Sequence, residues 1–161
     1  MTQILYVLVG VPGSGKSTWA NSRFHRQMVA YISTDTYVEK HAESIGKTYS
    51  EVFDEYMPTA VNMMTHDVVR ARESLRTIVW DQTSTTIASR AKKLNMLPKY
   101  YPIAVVFRTP EMHEHVRRLM ERPNKMIPID VLESMVENFE EPTFAEGFRE
   151  IIYVNNESTL T

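Results

Sequence analysis

Directly after an apolar run from Ile4 to Val9, the chain reads Gly10-Val11-Pro12-Gly13-Ser14-Gly15-Lys16-Ser17-Thr18, and this junction limits the fold more than any other part of the sequence. Gly10, Gly15, Lys16 and Ser17 fill the spacing G-x-x-x-x-G-K-[ST], in which a glycine-rich turn joins a strand to a helix and its backbone amides converge on an anion. Four such positions coincide by chance roughly once in a few hundred chains of this length. The turn is a phosphate-binding P-loop, so the chain opens as strand, loop and helix and belongs to the α/β class.

The loop also assigns chemistry. Lys16 is expected to reach the β- and γ-phosphates of a nucleoside triphosphate, and the Ser17 hydroxyl to ligate Mg²⁺. Gly10, Pro12, Gly13, Ser14, Gly15, Lys16, Ser17 and Thr18 form the candidate nucleotide-binding set. A loop of this kind fixes the donor class and leaves the acceptor open.

Further apolar runs at Met28 to Ile32, Thr77 to Trp80, Ile103 to Phe107 and Ile151 to Val154 are rich in β-branched or aromatic residues and predict four more buried strands. Helical spacing lies between them, at Ser17 to Arg26, about Ser50 to Ser74, Thr85 to Leu97, Glu111 to Arg122 and Pro128 to Phe139. In the last of these, Leu132, Met135, Val136 and Phe139 share one core-facing stripe. Strands alternating with helices argue for a parallel sheet covered on both faces. The stretch from about Glu39 to Ser50 carries turn and cap signals and reads as a surface connection, with a lining of the acceptor entrance as its alternative.

A chain of 161 residues is one domain's worth, expected here as residues 1–155 with a frayed polar tail over 156–161. Its 43% hydrophobic and 24% charged content excludes wholesale disorder, and its lack of cysteine excludes thiolate metal sites and a disulfide scaffold. The formal charge of -2 provides no global positive field for a long duplex, so any contact with nucleic acid is expected to be local. The first apolar run is too short to cross a bilayer and lacks a basic leader, which predicts a cytoplasmic protein.

Parallel sheets place ligands at the carboxyl ends of their strands. Ser33-Thr34-Asp35 follows the second run and Asp81-Gln82-Thr83 the third, so each puts a carboxylate at that edge. With an alcohol as acceptor, Asp35 is the candidate to orient the hydroxyl and take its proton. Asp81 closes its strand as a Walker-B acid would, to hold Mg²⁺; binding the acceptor or orienting Lys16 are its competing roles, and capping the next helix is the ordinary role of either aspartate. Arg118 and Arg122 lie four apart, able to clamp phosphates from a lid or to form a solvated salt-bridge face with Glu114 and Glu121. His113 and His115, two apart, point to different helix faces and read as surface residues rather than a metal pair.

Taken together, GVPGSGKSTWA, ISTDTY, WDQT and the tract from Arg118 and Arg122 into IPIDVLESM resemble the 5'-kinase domain of phage-type polynucleotide kinases, among the small P-loop kinases. The resemblance implies a five-stranded parallel sheet of order 2-3-1-4-5 with helices on both faces and an arginine-bearing lid helix. It implies Asp35 as general base, Lys16, Arg118 and Arg122 as catalytic groups, Arg122 also on the nucleotide, and Ser17 at the metal. ATP and Mg²⁺ are the implied cofactors, and the 5'-OH end of DNA or RNA, bound over a short terminal footprint, the implied acceptor. A hydroxymethylated pyrimidine in phage DNA, a small alcohol, and a P-loop ATPase or switch are the alternatives. If phage-encoded, the chain would act in the host cytoplasm. Three residues after the base, where the best-known member has an arginine on the acceptor's phosphate, this chain has Val38, with Arg70, Arg72 and Arg76 as candidate substitutes.

Overall fold

The computed structural model describes residues 2–122, 125 and 127–154. Five strands, β1 (Ile4–Val9), β2 (Ala30–Ile32), β3 (Ile78–Asp81), β4 (Tyr101–Phe107) and β5 (Glu150–Val154), form one parallel sheet of order β2-β3-β1-β4-β5. This is the predicted order, with β1 and its P-loop at the centre. The tail expected over 156–161 lies outside the described residues.

Alternation along the strands sorts side chains to two faces. Leu5, Val7 and Val9 of β1, with Ile78 and Trp80 of β3 and Ala104 and Val106 of β4, pack against Met64, Val68 and Ala71. Those three project from α3 (Tyr49–Glu73). Leu8, Val79, Ile103, Val105 and Phe107 face the other way, against Ala20, Trp19 and Phe24 of the segment that begins with α1 (Lys16–Arg23). The remaining helices are α4 (Ile87–Met96), α5 (Met112–Met120) and α6 (Ile129–Glu137), whose Leu132 is buried as its stripe predicts. Among the described residues, no helix is long and apolar enough to cross a membrane.

One element departs from the sequence reading. Residues 34–44 form a helix, α2 (Thr34–Ser44), so the connection expected from Glu39 is helical as far as Ser44. The stripe behind it is narrow, because Val38 and Ala42 pack on Val52 and Ala60 of α3 and not on the sheet. Val38 is therefore a core residue, fully buried between two helices. Helix α3 is one continuous element of 25 residues despite Pro58, started by a reciprocal capping box between Thr48 and Glu51.

Candidate active site

The donor half of the site is built from backbone. Gly10 follows β1 at a close approach, where an added Cβ would lie 2.5 Å from the Ser14 hydroxyl and 3.0 Å from Phe107. Gly13 has a φ of +79°, in the left-handed region that favours glycine. The loop is tied to the neighbouring β3–α4 turn by the Gly10 amide, which donates to the Thr83 carbonyl at 2.9 Å.

Side chains hold the loop's carbonyls. Lys16 Nζ donates to the Gly10 and Val11 carbonyls at 2.9 and 3.1 Å, His115 Nε2 donates to the Pro12 carbonyl, and Arg118 donates to the Gly13 carbonyl at 3.2 Å. Four consecutive carbonyls thus each have a donor. The Lys16 ammonium is buried, and desolvation lowers its pKa to about 8 against the opposing pull of Asp81 and Asp35, with Arg122 lowering it further. A bound polyanion would stabilise the charged form of that lysine.

At the start of α1, Ser17 Oγ donates to Asp81 Oδ2 at 2.8 Å, and the Tyr31 hydroxyl donates to the same oxygen. Burial first, and then the Asp81 charge, push the Tyr31 phenol well above its ordinary range. Asp81 does not cap the next helix, since Thr86 does. A hydroxyl and a carboxylate in contact beside a phosphate cradle are hard oxygen donors of the kind Mg²⁺ takes. The residues fit that ion. Among the described residues, no group of three or more His, Asp or Glu offers another metal site.

A second cluster, around Asp35, is assembled from separate elements. Asp35 sits in the first turn of α2 but is not its cap; Ser33 is, its hydroxyl accepting from the Asp35 amide at 3.2 Å. The Tyr49 hydroxyl, from α3, donates to Asp35 Oδ1 at 2.6 Å. The other carboxylate oxygen faces Lys125 at 3.6 Å, and that ammonium pairs with Glu39 at 2.5 Å while standing 4.6 Å from the centre of the Tyr49 ring. Neither Tyr49 nor Lys125 carries a sequence signal, because each acquires its role only when α3 and the α5–α6 connection reach Asp35.

The arginines divide. Arg117, not singled out by spacing, takes the salt-bridge face with Glu114 and Glu121. Arg118 bonds Glu114 at 3.0 Å as well as the Gly13 carbonyl. Arg122, beyond the end of α5, is close enough for its charge to act on both Lys16 and Tyr49. Arg70, Arg72 and Arg76 are engaged elsewhere, with Asp67, the Met96 carbonyl, and the Gln27 and Val29 carbonyls, so none of them replaces a residue beside Asp35. Thr18 is on the exposed side of α1, and His113 is exposed as expected. His115 is not a surface residue; it is 1% exposed, under the loop. A cleft of about 610 Å³ opens where β4 and β5 end, lined by Arg108, Thr109, Val136, Phe139, Tyr153 and Val154 among others.

Residues 5–142 match the family model described as an AAA domain. The bifunctional polynucleotide phosphatase/kinase of Schizosaccharomyces pombe is 29% identical over 154 residues, which cover 92% of this chain and 33% of that protein. The chain thus spans about a third of the length of that curated relative. Among solved structures, a protein of Chloroflexus aurantiacus provisionally named a kinase matches with a TM-score of 0.70 at 19% identity, over 95% of this chain and 85% of that one. A chain in the structure of the Pnkp1/Rnl/Hen1 RNA repair complex matches with a TM-score of 0.65 at 22% identity, over 85% of this chain and 44% of that one. At these identities the two structures speak for the fold, which is that of the P-loop kinases.

Proposed function

The chain belongs to the AAA domain family that its residues 5–142 match, and from that footing we propose that it transfers the γ-phosphate of ATP to a hydroxyl of nucleic acid, the 5'-OH end of DNA or RNA. The observation that carries the reading is Asp35, a carboxylate with one oxygen committed to Tyr49 and the other facing Lys125, and near enough to Lys16 for its charge to act on that ammonium. Nucleic acid as acceptor rests on the likeness to the polynucleotide phosphatase/kinase, which covers most of this chain. The phage-type likeness of the tract around Arg118, Arg122 and IPIDVLESM points the same way.

In this mechanism the P-loop amides and Lys16 hold the β- and γ-phosphates, and the nucleobase of the donor enters the cleft at the ends of β4 and β5. Ser17 and Asp81 would hold Mg²⁺, which when bound neutralises phosphate charge. Asp35 accepts the proton of the acceptor hydroxyl as its oxygen bonds to the γ-phosphorus. The bond from that phosphorus to the β–γ bridging oxygen breaks, and ADP leaves. Arg122 and, after releasing the Gly13 carbonyl, Arg118 oppose the negative charge spread over the transferring group.

Radiolabelled ATP offered with a 5'-OH oligonucleotide, a hydroxymethylpyrimidine-containing duplex, or free nucleosides tests the reading. Label on the oligonucleotide's 5' end supports it. Label on either of the other acceptors replaces the acceptor named here, and ATP consumed without any labelled acceptor replaces the kinase with an ATPase or switch.

A further inference from the structure

We propose that His115 is a positioning residue for the donor nucleotide, holding the Pro12–Gly13 peptide in the orientation that phosphate binding requires. Helix α5 buries one residue completely, and that residue is not one of its apolar side chains but this histidine. Leu119 and Val116 on the same helix are only partly buried. An imidazole taken out of water costs stability unless its polar atoms are satisfied. Here Nε2 meets the Pro12 carbonyl at 2.5 Å. A carbonyl only accepts, so Nε2 must carry the proton.

The geometry gives that hydrogen bond a consequence inside the loop. A trans peptide is planar, and its C=O and N–H point in opposite directions. Drawing the Pro12 oxygen toward α5 therefore turns the Gly13 N–H to the loop's other side, where the phosphate cradle lies. The ring also walls the turn, since its Cδ2 lies 3.3 Å and the Leu119 Cδ2 3.2 Å from where a Gly13 Cβ would be. Gly13 sits at a φ of +79°, a conformation that glycine leaves readily, so an external hold on the preceding peptide selects one of several accessible orientations. Arg118, three residues on, holds the next carbonyl, but it also bonds Glu114 and is partly exposed. The buried histidine is the fixed member of the pair.

The inference rests on the P-loop binding nucleotide and not on the identity of the acceptor. Titration calorimetry with ATP and with ADP on the full chain tests it with His115→Leu, which fills the space without a donor, and His115→Gln, which restores an N–H. The leucine variant is expected to bind both nucleotides about tenfold more weakly, at a melting temperature that still reports a folded protein, with the glutamine variant recovering most of the loss. Equal affinity of the leucine variant and the parent overturns the proposal. Failure of the parent itself to bind ATP overturns the kinase reading instead. Should the leucine variant not fold, ¹⁵N spectra of the parent decide: an Nε2-protonated ring and a Gly13 amide resonance that moves on adding ADP support the assignment. A ring protonated at Nδ1 alone, or an unmoved Gly13 amide in the nucleotide-bound protein, refutes it.

Discussion

The two halves of the ligand edge are made in different ways. The donor half comes from one unbroken stretch, Gly10 to Ser17, whose working groups are main-chain amides and whose carbonyls are held from behind by Lys16, His115 and Arg118. The acceptor half gathers side chains from α2, α3 and the connection after α5 around a single carboxylate. Backbone geometry recognises a phosphate chain whatever it is attached to, whereas a constellation of side chains can be re-specified one residue at a time. On the proposed function, one half sets what is donated, and the other what receives it.

The substitution with the largest expected effect is Asp35→Asn, which should slow phosphoryl transfer by about a hundredfold or more while leaving ATP affinity within about twofold of the parent. Rapid-quench transfer assays beside nucleotide titrations check it, and a comparable loss in ATP affinity would erase the division between halves. Tyr49→Phe removes one hydroxyl from the acceptor side, and about a tenfold fall in kcat is expected with the dissociation constant for ATP unmoved. Placed in the Asp35→Asn background the same change should add nothing, because it acts through that carboxylate.

The donor half is probed by pH. With Lys16 titrating at about 8, its charged form dominates below that value and is lost above it, so ATP affinity should weaken about tenfold from about pH 7 to about pH 9. Calorimetry in two buffers of different ionisation enthalpy would register the proton taken up on the alkaline side. Without nucleotide the sign for stability is the reverse. Lys16 and Lys93, both lowered by burial from 10.5 to about 8, have shed protons in the folded state that the unfolded chain still holds across that interval. Unfolding free energy should therefore rise with pH there, and urea melts at several pH values should show a shallower rise in Lys93→Met. The smallest effect is expected of Arg70→Ala and Arg72→Ala, which should leave acceptor KM unchanged, since neither residue faces Asp35.

The difference between the halves also explains what could be read beforehand. A P-loop is local, so residues 10–18 announce both their conformation and their ligand; the five apolar runs announce the strands, and their order was implied by the resemblance to a known family. Asp35 and Asp81 were visible because one follows and the other closes an apolar run that reads as a strand. Helix α2 was not, because its buried stripe is reduced to Thr34, Val38 and Ala42 and packs against another helix. Val38 occupies a place where the family resemblance implies a ligand contact, but it is fully buried and packs against α3. His115, Tyr49 and Lys125 lie 103, 14 and 90 positions from their partners Pro12, Asp35 and Asp35, and no local pattern encodes such pairings.

On the opposite side of the β3–α4 turn, the fully buried Arg90 guanidinium is met by Glu146 at 2.7 and 3.2 Å and donates to the Ser84 carbonyl at 2.9 Å. During synthesis the arginine leaves the ribosome well before its counter-ion does. Until Glu146 has emerged, seating α4 against the sheet would strand an uncompensated charge in a dry interior. Helix α4 and the turn that joins it to β3 therefore gain their final footing only with the last folded turn before β5.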